Sequence, residues 1–225
     1  RGAAAFLIRS IGTDDHRTPH TGVTSWQDGV TPIAAAALSN PDADNLERIA
    51  RTSNSPIKMS LTLTPKFTGP QQSGNVLAEL PGTDPAAGIV LVACHLDSWD
   101  LGTGAIDDAA GCGIVTDAAL SVATKGKHRR TIRVLWAGSE EVGVFGGDAY
   151  FKAHKDEPHA LAAESDFGAD RIWQVNFRLP EAAAPLRARI SDALAAQGIG
   201  SGRGVASGGE RFPVGVFLAA VFVLG

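Results

Sequence analysis

Residues 89–94, IVLVAC, are apolar without alternation. A strand with one wet face alternates polar and apolar side chains, whereas a strand covered on both faces need not. This run therefore requires layers on both sides of a sheet. Further β-rich apolar runs stand at Ala3–Arg9, Ile57–Thr64, Asn75–Leu80 and Thr131–Trp136. Helical spacing fits Asp107–Ala123, Gly143–His154 and Glu181–Gln197, with Gly146 and Gly147 weakening the start of the second. Strand, loop and helix in alternation predict an α/β fold, a mostly parallel central sheet flanked by helices. Residues 1–65 differ. They carry loop formers such as SNPDAD at 39–44, and the Pro/Gly-bearing stretch Pro65–Gly74 reads as the boundary of a separate small lobe.

The composition suits a buried core, with 44 % hydrophobic and 20 % charged residues in 225. Net charge is −4, and the only basic cluster is KGKHRR at 125–130, so nucleic acid is excluded as a partner. Cys94 and Cys112 make no disulfide framework; buried thiols are the first reading and a single bridge the second. The apolar run 214–225, VGVFLAAVFVLG, is too short to span a bilayer and reads as a core strand and the turn after it. The chain starts at Arg1 with no signal peptide, and both ends read as cut.

Ligands of such sheets lie outside the carboxyl ends of the strands. His95 directly follows one strand, and Glu140 and Glu141 follow another within a few residues, so they should share a rim. In His95-Leu96-Asp97 an aspartate can bend back to fix the imidazole, or both can be solvated loop residues. Asp107 or Asp108 can cap the helix that follows, but capping explains only one of the two. Paired carboxylates repel unless a cation lies between them, and a bridging carboxylate serves two ions. Of the adjacent pair Glu140 and Glu141, one could ligate metal while the other acts as general base; a solvated acidic turn is the alternative. Asp166 offers another oxygen, as does Glu164. His16, His20, His128, His154 and His159 read as surface residues. GTGAIDDAAG lacks the third glycine of a dinucleotide loop, and neither a Walker A pattern nor a G-x-S-x-G elbow occurs.

Together HLDSWDLGTGAIDDAAG, RTIRVLWAGSEEVGVFGGDAY and AAESDFGA resemble the three metal-site segments of the co-catalytic zinc exopeptidases, the aminopeptidase and glutamate-carboxypeptidase family. Residues 1–65 resemble the latter part of a protease-associated domain, leaving 66–225 as the peptidase domain. The resemblance implies two zinc ions. His95 and Asp166 would hold the first, Asp107 would bridge both, and Glu141 would hold the second. Glu140 would be the general acid/base, and Asp97 would orient His95. It also selects Asp166 over Glu164. The family's pattern ends in a further histidine, and no histidine follows His159 here, so the second set is short by one ligand. A truncation and a shifted reading frame both account for that, and the activity of these residues alone is left open. The implied partner is a peptide or dipeptide substrate and the implied location secreted or periplasmic; the sequence does not give the oligomeric state, a homodimer being one option. Two rivals share the fold: a non-catalytic interaction domain like that of transferrin receptor, and a single-zinc enzyme like glutaminyl cyclase.

Overall fold

The computed structural model describes residues 2–11, 15–166, 172, 174–177, 181–202 and 217–221, with main chain alone at 176 and 217–221. The chain divides into two units. Arg1–Gln71 with Trp99–Thr103 form the first, and Gln72–Ser98 with Gly104–Gly225 the second.

In the first unit β1 (Ala5–Arg9) and β2 (Ala34–Leu38) pair in parallel, and α1 (Asn40–Thr52) follows. The SNPDAD segment is therefore a helix start rather than a loop. Ser39 caps it: its hydroxyl accepts the Asp42 N–H at 3.3 Å and donates to the Asp42 carboxylate at 2.6 Å. Proline in the first turn completes the signal, since its missing N–H is one the helix does not need there. Ile57–Thr64 forms no strand. Ile57, Met59, Leu61 and Leu63 do alternate, but they are exposed. An alternating run needs a neighbour for its main-chain N–H and C=O groups, and none pairs with it among the described residues.

The second unit is built on a five-stranded sheet of order β3-β5-β4-β6-β9. Its strands are β3 (Val76–Leu80), β4 (Ile89–His95), β5 (Ile132–Ala137), β6 (His159–Asp166) and β9 (Phe217–Val221). β3 runs antiparallel to β5, and all other pairs are parallel. The strand expected in the last apolar run is β9. Helices α2 (Ala109–Thr124) and α3 (Phe145–His154) make the crossovers, and α4 (Ala184–Ala195) lies between the short strands β7 (Gln174–Asn176) and β8 (Gly200–Gly202). β4 lacks alternation because both its faces are covered. Leu91 and Ala93 pack with Leu135, Ala137, Ala162 and Tyr150 of α3. Cys94 packs with Ile132, Val134 and, from α2, Cys112, Val115 and Ala119. Leu91 and Leu135 are fully buried, each contributing about 1.5–3 kcal/mol. Gly146 opens α3 without a side chain because a Cβ there would lie 2.5 Å from the main chain of Gly138.

The route β4–α2–β5 leads to one side of β4, and β5–α3–β6 leads back to the other. The crossovers diverge at the carboxyl end of β4, where sheets of this kind open a crevice.

Candidate metal centre

Three strand ends meet at that crevice. β4 ends on His95, which pairs in register with Ala137, the last residue of β5. Glu140 and Glu141 follow after Gly138 and Ser139. β6 ends on Asp166, two residues past the Glu164 that pairs with Ala93. The loop leaving His95 returns to the start of α2 carrying Asp107 and Asp108.

His95 is 1 % exposed. Its Nδ1 lies 2.9 Å from the Asp97 main-chain oxygen. A carbonyl only accepts, so this contact places a proton on Nδ1 and turns Nε2 toward the crevice. Nε2 lies 3.0 Å from Asp107 Oδ1 and 3.5 Å from Asp166 Oδ1. Burial alone would push the imidazole down. The Asp166 hydrogen bond and the charges of Asp108, Asp166 and Glu140 outweigh it and raise its pKa to about 10.

Asp97 orients that ring through its carbonyl; its carboxylate Oδ1 stays 3.8 Å from Nδ1. The carboxylate accepts the Glu140 N–H at 2.8 Å and the Glu141 N–H at 3.2 Å. One residue thus ties the end of β4 to the turn after β5. That turn carries Ser139 at φ 59° and is closed by the Gly143 and Val144 N–H groups on the Glu140 carbonyl.

Asp108 holds the N-cap position of α2, yet its side chain caps nothing. Its Oδ2 accepts the His95 N–H at 2.9 Å. Its Oδ1 is buried with no hydrogen-bond partner among the described residues. Burial, helped by Asp166 and Asp107, lifts this carboxyl to about 7 against the pull of His95. Capping, the ordinary reading of an aspartate here, therefore does not explain it. The sequence expectation placed Asp107 alone at the site, and the unexplained pairing of two acids was the signal for its neighbour.

Donor atoms within 4.8 Å of one another form the groups His95–Asp107–Glu141 and His95–Asp108–Asp166. The implied triple His95–Asp107–Asp166 is not such a group among the described residues, although both aspartates face Nε2. Cys94, Asp108 and Cys112 also cluster, but the two cysteines form a disulfide, which corrects the thiol reading and removes them as ligands. Glu141 is raised to about 7 by burial and then by Asp107, with His95 opposing. Glu140 is raised too, by burial first, with Asp166, Asp97 and Asp107 adding. Burial first, and neighbouring carboxylates second, disfavour the charged form of Asp108, Glu140 and Glu141, and a cation beside them would favour it. One imidazole with several carboxylates is a donor set that would suit zinc. These residues fit the metal.

His154 and His159 are not the surface residues expected. Both are half-buried beside Tyr150 and Arg133, as described below. His16 and His20 are exposed, and half-buried His128 lies 3.3 Å from the Leu80 carbonyl.

Residues 75–199 match the profile of Peptidase family M28. Over 171 residues the chain is 38 % identical to carboxypeptidase Q of Bos taurus, an overlap of 74 % of this chain and 36 % of that protein. An aminopeptidase of Pseudomonas aeruginosa strain UCBPP-PA14 is 28 % identical over 180 residues, or 78 % of this chain and 31 % of the relative. The crystal structure of a peptidase M28 precursor from Shewanella amazonensis SB2B superposes with a TM-score of 0.81 at 39 % identity, over 97 % of this chain and 51 % of that one. The chain thus spans about a third of these curated relatives and about half of the solved one. With the family profile covering more than half of its length, the α/β sheet and the acidic crevice are those of a chain that belongs to Peptidase family M28.

Proposed function

We propose that this chain is the metal-binding core of a zinc-dependent exopeptidase, which hydrolyses peptide bonds next to a free chain end. The observation that carries the reading is the convergence of His95, Asp107, Glu141 and Asp166 from three strand ends and one helix start. In this reading His95 would hold one zinc with Asp107 and Asp166, the two aspartates that face its Nε2, and Asp107 and Glu141 would hold a second. Zinc, when bound, supplies Lewis acidity that polarises the scissile carbonyl and acidifies water. Glu140 takes the proton from the attacking water and returns it to the leaving amine as the carbon–nitrogen bond breaks. Its raised pKa suits that exchange, because a general acid/base works best when its pKa lies near the operating pH. Asp97 holds the Glu140 main chain in place for this, and Asp108 holds that of His95.

The named relatives include both a carboxypeptidase and an aminopeptidase. We therefore assign the substrate as a peptide or dipeptide without choosing the end attacked. Residues 1–65 are proposed as the latter part of a protease-associated lobe and 66–225 as part of the peptidase domain. An exported location, secreted or periplasmic, belongs to the same proposal. The Cys94–Cys112 bridge supports it, because disulfides persist in oxidising compartments. Among the described residues no helix is long and apolar enough to cross a membrane.

The test is zinc titration together with release of amino acids from dipeptides, in this chain and in the longer protein. Glu140→Gln should lower turnover by about 10²–10⁴-fold with zinc still bound. Unchanged turnover would refute the assigned base. Absence of zinc binding would favour the non-catalytic rival, and cyclisation of N-terminal glutamine without hydrolysis would favour the cyclase.

A further inference from the structure

We infer that the Cys94–Cys112 disulfide is a positioning device for the metal centre: by closing the loop that carries His95, Asp97, Asp107 and Asp108, it raises the affinity of these side chains for a divalent cation. The inference rests on the metal-binding reading above. Cys94 immediately precedes His95 on β4, and Cys112 lies in the first turn of α2, four residues after Asp108. Both are buried, at 0 % and 8 % exposure. Every donor that this loop brings to the crevice lies inside the closed ring.

The loop carries three carboxylates, Asp97, Asp107 and Asp108, beside the one imidazole of His95. Like charges push the loop outward, and three of its apolar side chains have little cover. Leu96, Leu101 and Ile106 are exposed. The ends resist through two ties side by side: the covalent bridge, and the His95 N–H on Asp108 Oδ2. The bridge also acts on β6. Gly111, next to Cys112, has no room for a Cβ, which would overlap Asp108 Oδ1 and the Ser165 carbonyl. Ser165 adjoins Asp166. The first turn of α2, pinned by the bridge, is thus wedged between the loop's last acids and the strand end that supplies Asp166. Release of the bridge frees the wedge, and the donors must then be ordered when the ion binds. Groups that orient metal ligands typically change affinity by about 10–100-fold, and that is the effect assigned to the bridge.

Zinc titration of the chain and of Cys94→Ala/Cys112→Ala, with urea unfolding of both in parallel, tests this. The double variant should remain folded by circular dichroism and bind zinc about 10–100-fold more weakly. A lower urea midpoint with unchanged zinc affinity would make the bridge merely structural and overturn the inference. A second measurement needs no substitution. Coupling is mutual, so a cation held better by the bridged chain must favour the bridge by the same factor. The chain is equilibrated in glutathione buffers with and without saturating manganese, which thiolates hold weakly. Reduction converts two glutathione thiols to one glutathione disulfide and leaves their two protons on the Cys94 and Cys112 thiols. Manganese should shift the buffer ratio at half-reduction by about 10–100-fold toward more reducing conditions; no shift would overturn the proposal even if the double variant failed to fold. If the unsubstituted chain bound no cation, the metal reading itself would fall, an outcome distinct from equal binding by both chains.

Discussion

The Asp97 carboxylate divides its two oxygens between the Glu140 and Glu141 N–H groups. Asparagine at this position keeps one acceptor but turns an amide N–H₂ on the other donor. Asp97→Asn should therefore loosen the glutamate turn and weaken zinc binding by about 10–100-fold while the chain stays folded. Titration beside a circular dichroism spectrum checks this, and unchanged affinity would show that the turn holds itself. Gly111 makes a different demand. Gly111→Ala drives a methyl into Asp108 and Ser165, and overpacking of this kind costs about 1–3 kcal/mol, readable as a drop in the urea midpoint. At this scale the spacing of His95 and Asp97 shows that the two can meet. It does not show that the carbonyl makes the contact and leaves the carboxylate free for another strand's turn, because spacing sets reach and not which atom is used. The bridge is the second of two readings of the cysteines, and the sequence cannot raise it to the first. Nothing local to Cys94 or Cys112 says that the start of a helix folds back beside the end of a strand.

Among the elements, β5 and α3 share a polar cluster on the face of the sheet away from α2. Arg133 reaches Glu79 Oε1 at 2.5 Å, Glu157 Oε2 at 2.6 Å and the Tyr150 hydroxyl at 2.9 Å. Tyr150 in turn lies 2.7 Å from His159 Nε2, and His154 lies 2.6 Å from Glu157 Oε1. Arg133 is buried while Glu79 and Glu157 are each more than a third exposed, so water can take over their charges. Arg133→Met should therefore cost about 1–3 kcal/mol, the range of lost hydrogen bonds to charged groups, read as a drop in the urea midpoint. The cluster also sets a pH dependence. Burial lowers the His159 pKa, as do the charges of Arg133 and His154, against the Glu157 carbonyl and carboxylate. A base with a lowered folded pKa stays neutral where the unfolded chain takes up a proton. Its contribution is complete above the unfolded value of about 6.5 and is lost as pH falls below it. The urea midpoint should accordingly fall further between about pH 7.5 and 5.5 in the unsubstituted chain than in His159→Gln; equal falls would contradict this. The buried strand IVLVAC is legible because period and composition are local. The helix at 40–52 was hidden by its own cap, since serine, proline and aspartate serve turns as readily as helix starts.

For the molecule as a whole, the sequence shows the order of strands and helices and the rim they would share. The pairing of strands far apart in the chain comes only with the fold. Residues 51–74 are exposed throughout and, after α1, carry no helix or strand. Limited trypsin treatment should cut first after Lys58 and Lys66, since exposed connections are nicked before packed elements. The product beginning at Phe67 should retain zinc binding, because every proposed ligand lies beyond that cut; loss of binding with residues 1–66 would place part of the site among them. The most direct test of the account is X-ray absorption at the zinc edge of the zinc-loaded chain. It should show nitrogen and oxygen neighbours at about 2.0–2.2 Å, one imidazole among them, and no sulfur. Sulfur at about 2.3 Å, or zinc that washes away, would contradict a site built from His95 and the acids at the strand ends.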